Sequence, residues 1–241
     1  MANKQKTADV PVNRLEPNNL PLTQLVANQL RDMIVEDKLK PGEWIREQDL
    51  ATQLKVSRTP LREALKLLDL EGLIRLYPNR GAVVTELTVD DVKQKLEVLA
   101  ALESLAGRLA CQLATDEEIA EIQALHYEMC AAFSRKNRLE YFKLNQQIHT
   151  AIVATSRNKT LIDTHNRINA QLYRVRFQSN QQNSLWDTAI DEHEEMLKGL
   201  MKRDSEALST GMQNHLGQTF LKFSKNLEFV DTNQGSEKQD V

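Results

Sequence analysis

The chain has 241 residues, of which 41% are hydrophobic and 5% aromatic, so it can form one large domain or two modest ones around a buried core. Glycine and proline are scarce, with 8 and 6 residues, and this composition favours a mostly helical protein. The net charge of −3 excludes a polycation, so any contact with nucleic acid must come from a local basic patch.

The two ends of the chain are polar. Residues 1–20 predict a disordered arm, and residues 227–241 predict a disordered tail. The start has no apolar core segment and is unlike a signal peptide, and no apolar run is long enough to span a bilayer. Because the two cysteines have no metal-type spacing either, the pattern predicts a cytoplasmic protein without a membrane partner.

Residues 21–87 contain short helical patterns that predict a separate domain. Apolar residues recur at helical spacing over 22–34, and the Pro-Gly pair in LKPGEW ends that helix. A short helix follows at about 47–54. The turn sequence KVS then leads into a helix over about 58–71, and Gly72 fits the left-handed position that ends it.

A β-hairpin is predicted directly after that helix, because two β-prone runs, 74–77 and 82–85, flank the turn sequence PNRG. The order is therefore helix, helix, tight turn, helix, hairpin, which predicts a winged helix-turn-helix. In such a domain the second helix of the pair lies in the DNA major groove, with its first residues on bases and phosphates. We therefore predict double-stranded DNA as a partner.

Candidate DNA contacts lie at the start of that helix and at the hairpin tip. Arg58 and Arg62 are four residues apart, so they share a helix face, and each can bind guanine or a phosphate through two hydrogen bonds. The alternative is the solvated face of an amphipathic helix, but residues 55–62 contain three cations and no acid. The predicted DNA-binding residues are Arg46, Ser57, Arg58, Thr59, Arg62, Arg80 and Gly81.

Residues 88–226 contain long helical patterns with few breakers, and they predict an all-α bundle. The fold class is therefore mostly α, with an N-terminal winged helix-turn-helix and a C-terminal helical bundle. A bundle can hold a ligand between facing helices. The breaks in the pattern predict six helices, at roughly 88–113, 116–135, 137–156, 158–180, 184–203 and 204–225.

All five histidines lie in this second half. Asn145 and His149 are one helical turn apart and can converge on one point, while His193 and His215 each precede an apolar residue and can face the bundle interior. Three imidazoles and an amide oxygen suit Zn²⁺ or a similar divalent ion. A helical histidine is also commonly a surface or hydrogen-bonded core residue. Spacing alone leaves that alternative open, and we prefer it for the other two histidines.

The segment GEWIREQDLATQLKVSRTPLREALKLLDLEGLIRLYPNRGAVV resembles the DNA-binding domain of GntR-family bacterial transcription regulators, over about residues 20–86. The shared pattern is Pro-Gly, then LAxxLxVSRTPLREAL, then LxxEGL and a glycine in the wing. The resemblance implies a homodimer that binds an inverted repeat of operator DNA. It also implies DNA contacts by Arg46, Arg58, Thr59, Arg62 and Gly81.

The second half resembles the FCD ligand-binding domain of the FadR-like GntR subgroup. LEVLAALESLAGRLA resembles its opening helix, FKLNQQIHTAIVATSRNKTL its Asp/Asn-x-x-x-His segment, and DEHEEMLKGLMKRDSEAL and MQNHL its last two helices. Six helices resemble the shorter, VanR-like type. The resemblance implies a divalent metal, Zn²⁺ first and Ni²⁺ second, that helps to hold a small carboxylate effector. Its implied ligands are Asn145, His149, His193 and His215.

The chain departs from the family pattern in two places. Asn145 stands where the first ligand is usually aspartate, and Leu99 and Ala100 stand where an arginine often faces the effector. Arg174 and Arg176 are therefore predicted as effector-binding residues, since either can pair with a carboxylate. The alternative is that both are surface cations.

These patterns predict a transcription regulator, not an enzyme, whose operator affinity is controlled by a small organic acid bound at a metal. Two alternatives are a metal-dependent hydrolase fused to a DNA-binding domain and an architectural DNA-binding dimer without an effector. Against the hydrolase, Leu197 stands where H-E-x-x-H requires its second histidine. Glu192 and Glu194 are also expected to point away from His193.

Overall fold

The structure, a computed structural model, describes residues 20–78, 80–179 and 184–236. Four predicted features lie wholly or partly outside the described residues. They are most of the arm, the last residues of the tail, Asn79 of the hairpin turn and the helix break at 182–183. The first unit is the predicted winged helix-turn-helix. Its elements are α1 (Leu22–Val35), β1 (Trp44–Ile45), α2 (Glu47–Leu54), α3 (Arg58–Glu71), β2 (Ile74–Tyr77) and β3 (Gly81–Val84).

Helix α3 forms at the predicted position because its apolar stripe packs against α1 and the sheet. Leu61, Leu65 and Leu68 are fully buried. Gly72 ends the helix with φ +78°, as predicted. Ser57 occupies the N-cap position of α3, but in the described part of the chain its side chain accepts no capping hydrogen bond. The Ser57 hydroxyl is exposed at the start of the helix.

The predicted hairpin is confirmed as the antiparallel pair β2 and β3, and a third strand, β1, pairs with the other edge of β3. The two residues of β1 are too few to leave a periodic signal in the sequence. Gly81 has φ +95°, and a Cβ atom there would lie 2.9 Å from the carbonyl oxygen of Ile45. The pairing of β1 with β3 therefore requires glycine at this position.

The second unit is the predicted helical bundle, with one correction to the helix count. We predicted a single helix over 158–180, but the chain breaks at Leu172, which is fully buried. The next residue, Tyr173, packs against the core of the first unit, a contact that the helical pattern of the sequence does not show. The described residues of the bundle therefore form seven helices, and the predicted number of six is wrong. The likeness to the shorter, VanR-like type was based on that number. The bundle helices are α4 (Val89–Leu113), α5 (Asp116–Ser134), α6 (Arg138–Thr155), α7 (Lys159–Gln171), α8 (Tyr173–Ser179), α9 (Ser184–Met201) and α10 (Ser205–Ser236).

The last helix is longer than predicted. We ended it at 225 and predicted a disordered tail from 227, but α10 continues to Ser236. Once a helix has formed, each added residue gains a backbone hydrogen bond at little further cost, so a polar sequence can prolong it. No helix within residues 20–78, 80–179 and 184–236 is long and apolar enough to cross a membrane.

The two units are joined by polar and apolar contacts. Asp37, which follows α1, accepts a hydrogen bond from Arg174 of α8 at 2.7 Å. Asp32 of α1 accepts one from Lys143 of α6 at 2.7 Å. An apolar cluster completes the contact, and its buried members are Val35, Phe142 and Phe177.

Candidate metal centre and DNA-binding surface

Three of the predicted metal ligands meet in the bundle interior. His149 of α6, His193 of α9 and His215 of α10 are all buried, and one ring nitrogen from each lies within 4.8 Å of the others. Their ring centroids are 4.8 to 5.1 Å apart. Asn145, one turn before His149, places its amide Nδ2 2.9 Å from Nε2 of His193. The structure therefore brings together all four residues that the sequence singled out.

Two carboxylates orient two of these imidazoles. Nδ1–H of His149 donates to Glu103 at 2.7 Å, and Nδ1–H of His215 donates to Glu192 at 2.6 Å. Such a bond fixes the tautomer, so that the lone pair of Nε2 faces away from the carboxylate. His149 Nε2 is buried and has no hydrogen-bond partner among the residues that the structure describes.

The third imidazole lies against the amide. Asn145 donates from its amide Nδ2 to Nε2 of His193, and a flip of the amide group exchanges the positions of its nitrogen and oxygen. After that flip an oxygen would face the histidine cluster. His193 Nδ1 is buried and likewise lacks a partner within the described ranges. Three imidazole nitrogens and an amide oxygen form a donor set that fits a divalent cation.

The electrostatic environment keeps two of these histidines, His149 and His193, neutral. Burial lowers the pKa of His149 to about 4, although the Glu103 carboxylate opposes this shift. Burial, followed by the neighbouring His215 and His149, holds the pKa of His193 well below its usual range. Neutral imidazoles offer the lone pairs that a metal requires, so no proton has to leave these two rings before binding.

Glu103 of α4 is the centre of a buried polar network. Its carboxylate accepts hydrogen bonds from His149 and from His165, the latter at 3.1 Å, and lies 3.7 Å from Nη1 of Arg176. Burial alone would raise the pKa of Glu103, but His149, then His165, and Arg176 together hold it well below its usual range. The carboxylate is therefore ionised and fixes the His149 ring.

Sequence reasoning missed both carboxylates. A signal for Glu103 existed, because it lies four residues after Leu99 and three before Ala106, on the fully buried face of α4. An acid on such a face needs a partner. Glu192 was expected only to point away from His193, and its contact with the cluster was not foreseen: it reaches across from α9 to His215 on α10.

The two predicted effector-binding arginines lie in different places. Arg176 is 3% exposed, so the surface alternative fails for it, and it donates to Asn169 at 2.5 Å behind the Glu103 network. Its Nη2 atom is buried without a partner in the described part of the chain. Arg174 instead pairs with Asp37 of the first unit.

The two histidines that we did not assign to the metal are also buried. His165 is hydrogen-bonded to Glu103, as expected for a core histidine. His126 stacks on His193 with ring centroids 6.5 Å apart, and its Nε2 atom lies 3.9 Å from Glu194. His126 therefore borders the cluster without belonging to it.

A cationic groove of about 690 Å³ lies between α3 and the hairpin. One acidic residue, Glu47, also lines the groove and accepts a hydrogen bond from Arg62 at 2.7 Å. Sequence reasoning missed one basic residue of the groove, Lys66, which lies one turn after Arg62. Ser57, Arg58 and Thr59 are exposed at the start of α3 and are not among the residues that line the groove. The basic side chains on the groove wall are Arg46, Arg62, Lys66 and Arg80, and Gly81 lies among them.

The first unit is a winged helix-turn-helix with a cationic groove, and the second is a bundle that encloses a histidine cluster. This combination is typical of a DNA-binding regulator with a separate second unit. Residues 22–84 match the family described as bacterial regulatory proteins, gntR family, and residues 94–218 match the FCD domain. The chain belongs to the GntR family of transcription regulators, in the FadR-like subgroup with a C-terminal FCD domain. Regulators of this family bind operator DNA.

Related proteins match most of the length of this chain. This chain is 31% identical to the uncharacterized HTH-type transcriptional regulator YdhC of Bacillus subtilis, over 78% of this chain and 84% of the relative. It is 27% identical to the HTH-type transcriptional repressor RspR of Escherichia coli, over 87% and 90%. The solved structure of E. coli McbR/YncC superposes with a TM-score of 0.75 at 22% identity, over 86% of this chain and 99% of that chain, which supports the fold alone.

Proposed function

We propose that the operator affinity of this regulator is set by a small carboxylate held at a divalent metal in the bundle. The observation that supports this most is the buried cluster of His149, His193 and His215, in which two ring nitrogens lack partners in the described part of the chain. A buried polar atom without a partner costs about 1–3 kcal/mol. A cation ligated by neutral imidazoles removes that cost.

The proposed ligands are His149 and His215 through Nε2, His193, and Asn145 through its amide oxygen. Zn²⁺ suits this set best and Ni²⁺ is the second choice. When bound, the metal supplies a Lewis-acid position for one carboxylate oxygen. Because all four ligands are neutral, the ion keeps its full positive charge, and this favours an anionic effector. Glu103 orients the His149 ring.

Of the two arginines, we assign Arg176 to the effector site and Arg174 to the contact between the units. Arg176 is buried beside the Glu103 network and carries an Nη2 atom without a partner among the described residues. A guanidinium in that setting can pair with a carboxylate. Arg174 already pairs with Asp37.

A sensor is favoured over a hydrolase. A hydrolytic site needs a carboxylate or imidazole that is free to accept a proton from the attacking water. Glu103 and Glu192 both accept a hydrogen bond from a ring N–H of a candidate ligand, so both act as orienting groups. The relatives with assigned roles are transcriptional regulators, which agrees with this assignment.

The proposal is tested by elemental analysis of the purified chain, followed by melting curves with small carboxylates before and after chelation. About one metal per chain is expected. A carboxylate should raise the melting temperature of the metal-loaded protein only, and it should change the affinity for an operator fragment. A metal-free chain, or a carboxylate response that survives chelation, would contradict the proposal.

The DNA-binding part of the proposal assigns operator contacts to the exposed start of α3 and to the groove. Replacing Arg58 is the most direct test of these contacts, because Arg58 is the first residue of α3 and is exposed. Arg58→Ala should cost about 1–3 kcal/mol of specific binding and relax one base preference. The measurement is a gel shift on an operator fragment obtained by selection from random DNA.

Arg135→Ala is the matched control, since Arg135 is exposed at the end of α5 in the bundle. It should leave operator affinity unchanged. If Arg58→Ala behaves like this control, the recognition-helix assignment fails.

A homodimer is proposed through an apolar stripe on α4. Val98, Leu105 and Leu113 are 49%, 37% and 45% exposed, and Leu102 and Leu109 lie between them, half-buried. Their spacing of three and four residues gives one continuous helix face. Two copies packed along this stripe would hold two recognition helices for an inverted repeat.

Leu105→Glu should therefore separate the dimer. Each burial of a leucine contributes about 1.5–3 kcal/mol, so two copies of the change should weaken dimerisation about a hundredfold or more. Light scattering across a dilution series measures this. Met201→Glu is the control, because Met201 is 49% exposed and lies outside the stripe. A Leu105→Glu chain that stays dimeric would place the interface elsewhere.

A further inference from the structure

Two large aromatic side chains are exposed on the outer face of the three-stranded sheet. Trp44 of β1 is 50% exposed and Tyr77 of β2 is 37% exposed. Their rings pack on each other, with centroids 5.3 Å apart. The inner face of the sheet is the one that packs on the core of the unit, through residues such as Ile45, Ala82 and Val84. The outer aromatic pair is therefore not needed to fill the core.

The register of the sheet places a cation beside this pair. Trp44 lies opposite Val83 of β3, and Val83 lies opposite Arg75 of β2, so the three side chains share one face. Tyr77 follows Arg75 by two residues and lies on the same face. The residue opposite Tyr77 is Gly81, which has no side chain to cover the ring. None of these five residues is acidic, so the face combines an aromatic surface with a positive charge.

This aromatic face is continuous with the cationic groove between α3 and the hairpin. Tyr77 belongs to both, because it packs on Trp44 and also lines the groove beside Arg80. Arg46, on the opposite side of the groove, follows Trp44 by only two residues. A nucleic acid in the groove is therefore adjacent to the aromatic pair.

We propose that Trp44 and Tyr77 bind deoxyribose rings of the operator next to the base pairs that α3 contacts. The inference rests on the DNA-binding part of the proposed function. Deoxyribose offers an apolar surface to the rings, and a neighbouring phosphate pairs with Arg75. Sugars are the same at every base pair, so these contacts supply affinity and no base preference. Operator DNA is favoured over a second copy of the chain, because two faces of the same positive charge repel each other.

Trp44→Ala should weaken operator binding about tenfold, because the ring no longer loses its contact with water in the complex. The dependence of affinity on salt should keep its slope, since an apolar contact releases no counterions. Arg75→Ala is the comparison, and loss of its phosphate contact should lower the slope by about 1. The measurement is fluorescence anisotropy of a labelled operator fragment between about 50 and 200 mM salt.

Tyr127→Ala is the matched control, because Tyr127 is an aromatic residue that is 62% exposed on α5 in the bundle. It should bind the operator like the unchanged chain. A Trp44→Ala chain with normal affinity, or with a shallower salt slope, would overturn the proposal. If Arg58→Ala weakens binding and Trp44→Ala does not, the aromatic face is excluded while the proposed DNA-binding function stands. If neither change weakens binding, the proposed function fails as well.

Acrylamide quenching of tryptophan fluorescence tests the contact in the unchanged chain, where folding is not in question. The chain has two tryptophans, so a parallel experiment on Trp44→Phe identifies the signal of Trp44. Operator DNA should shield Trp44 from acrylamide. Equal quenching of Trp44 with and without DNA would overturn the proposal. Light scattering on Trp44→Ala should show the same oligomer as the unchanged chain, and loss of the oligomer would assign the face to a second copy instead.

Discussion

His193→Ala should reduce the metal content of the purified chain from about one ion to nearly none. His193 is 2% exposed, and its ring centroid lies about 5 Å from both other imidazoles of the cluster (5.1 and 4.8 Å). Loss of a group that merely orients a ligand weakens metal binding about 10–100-fold, so loss of a ligand should cost more. The measurement is elemental analysis after equilibration with Zn²⁺ and desalting.

The same variant should bind operator DNA normally in the metal-free state, because the cluster lies in the bundle and the cationic groove lies in the other unit. The effector response should be lost. His126→Ala is the matched control, since His126 is also buried and stacks on His193 at 6.5 Å. It should retain its metal. Normal stoichiometry in His193→Ala would show that the ion, if any, is bound elsewhere.

Most of the fold could be predicted because its signals are local. The apolar residues of α3 repeat every three or four positions, and Gly72 marks the end of the helix. The predicted position and end of this helix are therefore both confirmed. The break at Leu172 left no such signal. It lies where Tyr173 packs into the other unit, and a contact of that kind depends on the tertiary arrangement.

The candidate site could be predicted only in part. Asn145 and His149 share a helix face, so their convergence follows from spacing. Their meeting with His193 and His215 was implied by family resemblance, since those residues lie on other helices. The pairing of Glu192 with His215 crosses from α9 to α10, and the pattern of one helix cannot reveal it.

Arg174 and Arg176 show the same limit. They are two residues apart on α8, so they lie on different faces of the helix and meet different neighbours. One contacts Asp37 in the DNA-binding unit, and the other lies 3.7 Å from Glu103 in the bundle. Their charge and spacing were visible in the sequence, but their partners come from elements far along the chain.

Glu103→Gln should lower the free energy of unfolding by about 3–5 kcal/mol. The change keeps the size of the side chain but removes the negative charge that faces Arg176, which is 3% exposed. The guanidinium then stays buried without a counter-ion, and this is costly in a low-dielectric interior. Urea denaturation of the chelated protein measures the effect. Glu195→Gln is the control, because the Glu195 side chain is 74% exposed, and it should change stability by less than about 0.5 kcal/mol.

The double variant Glu103→Gln with Arg176→Met separates the buried charge from other causes. Methionine fills a similar volume without charge, so most of the lost stability should return. The free energies of unfolding of the unchanged chain, the two single variants and the double variant then give the coupling energy between Glu103 and Arg176. If the double variant is as unstable as Glu103→Gln alone, the loss comes from the hydrogen bonds to His149 and His165. Metal affinity reports on the orientation of His149 and not on the buried charge, so it should be weakened in both variants even where stability returns.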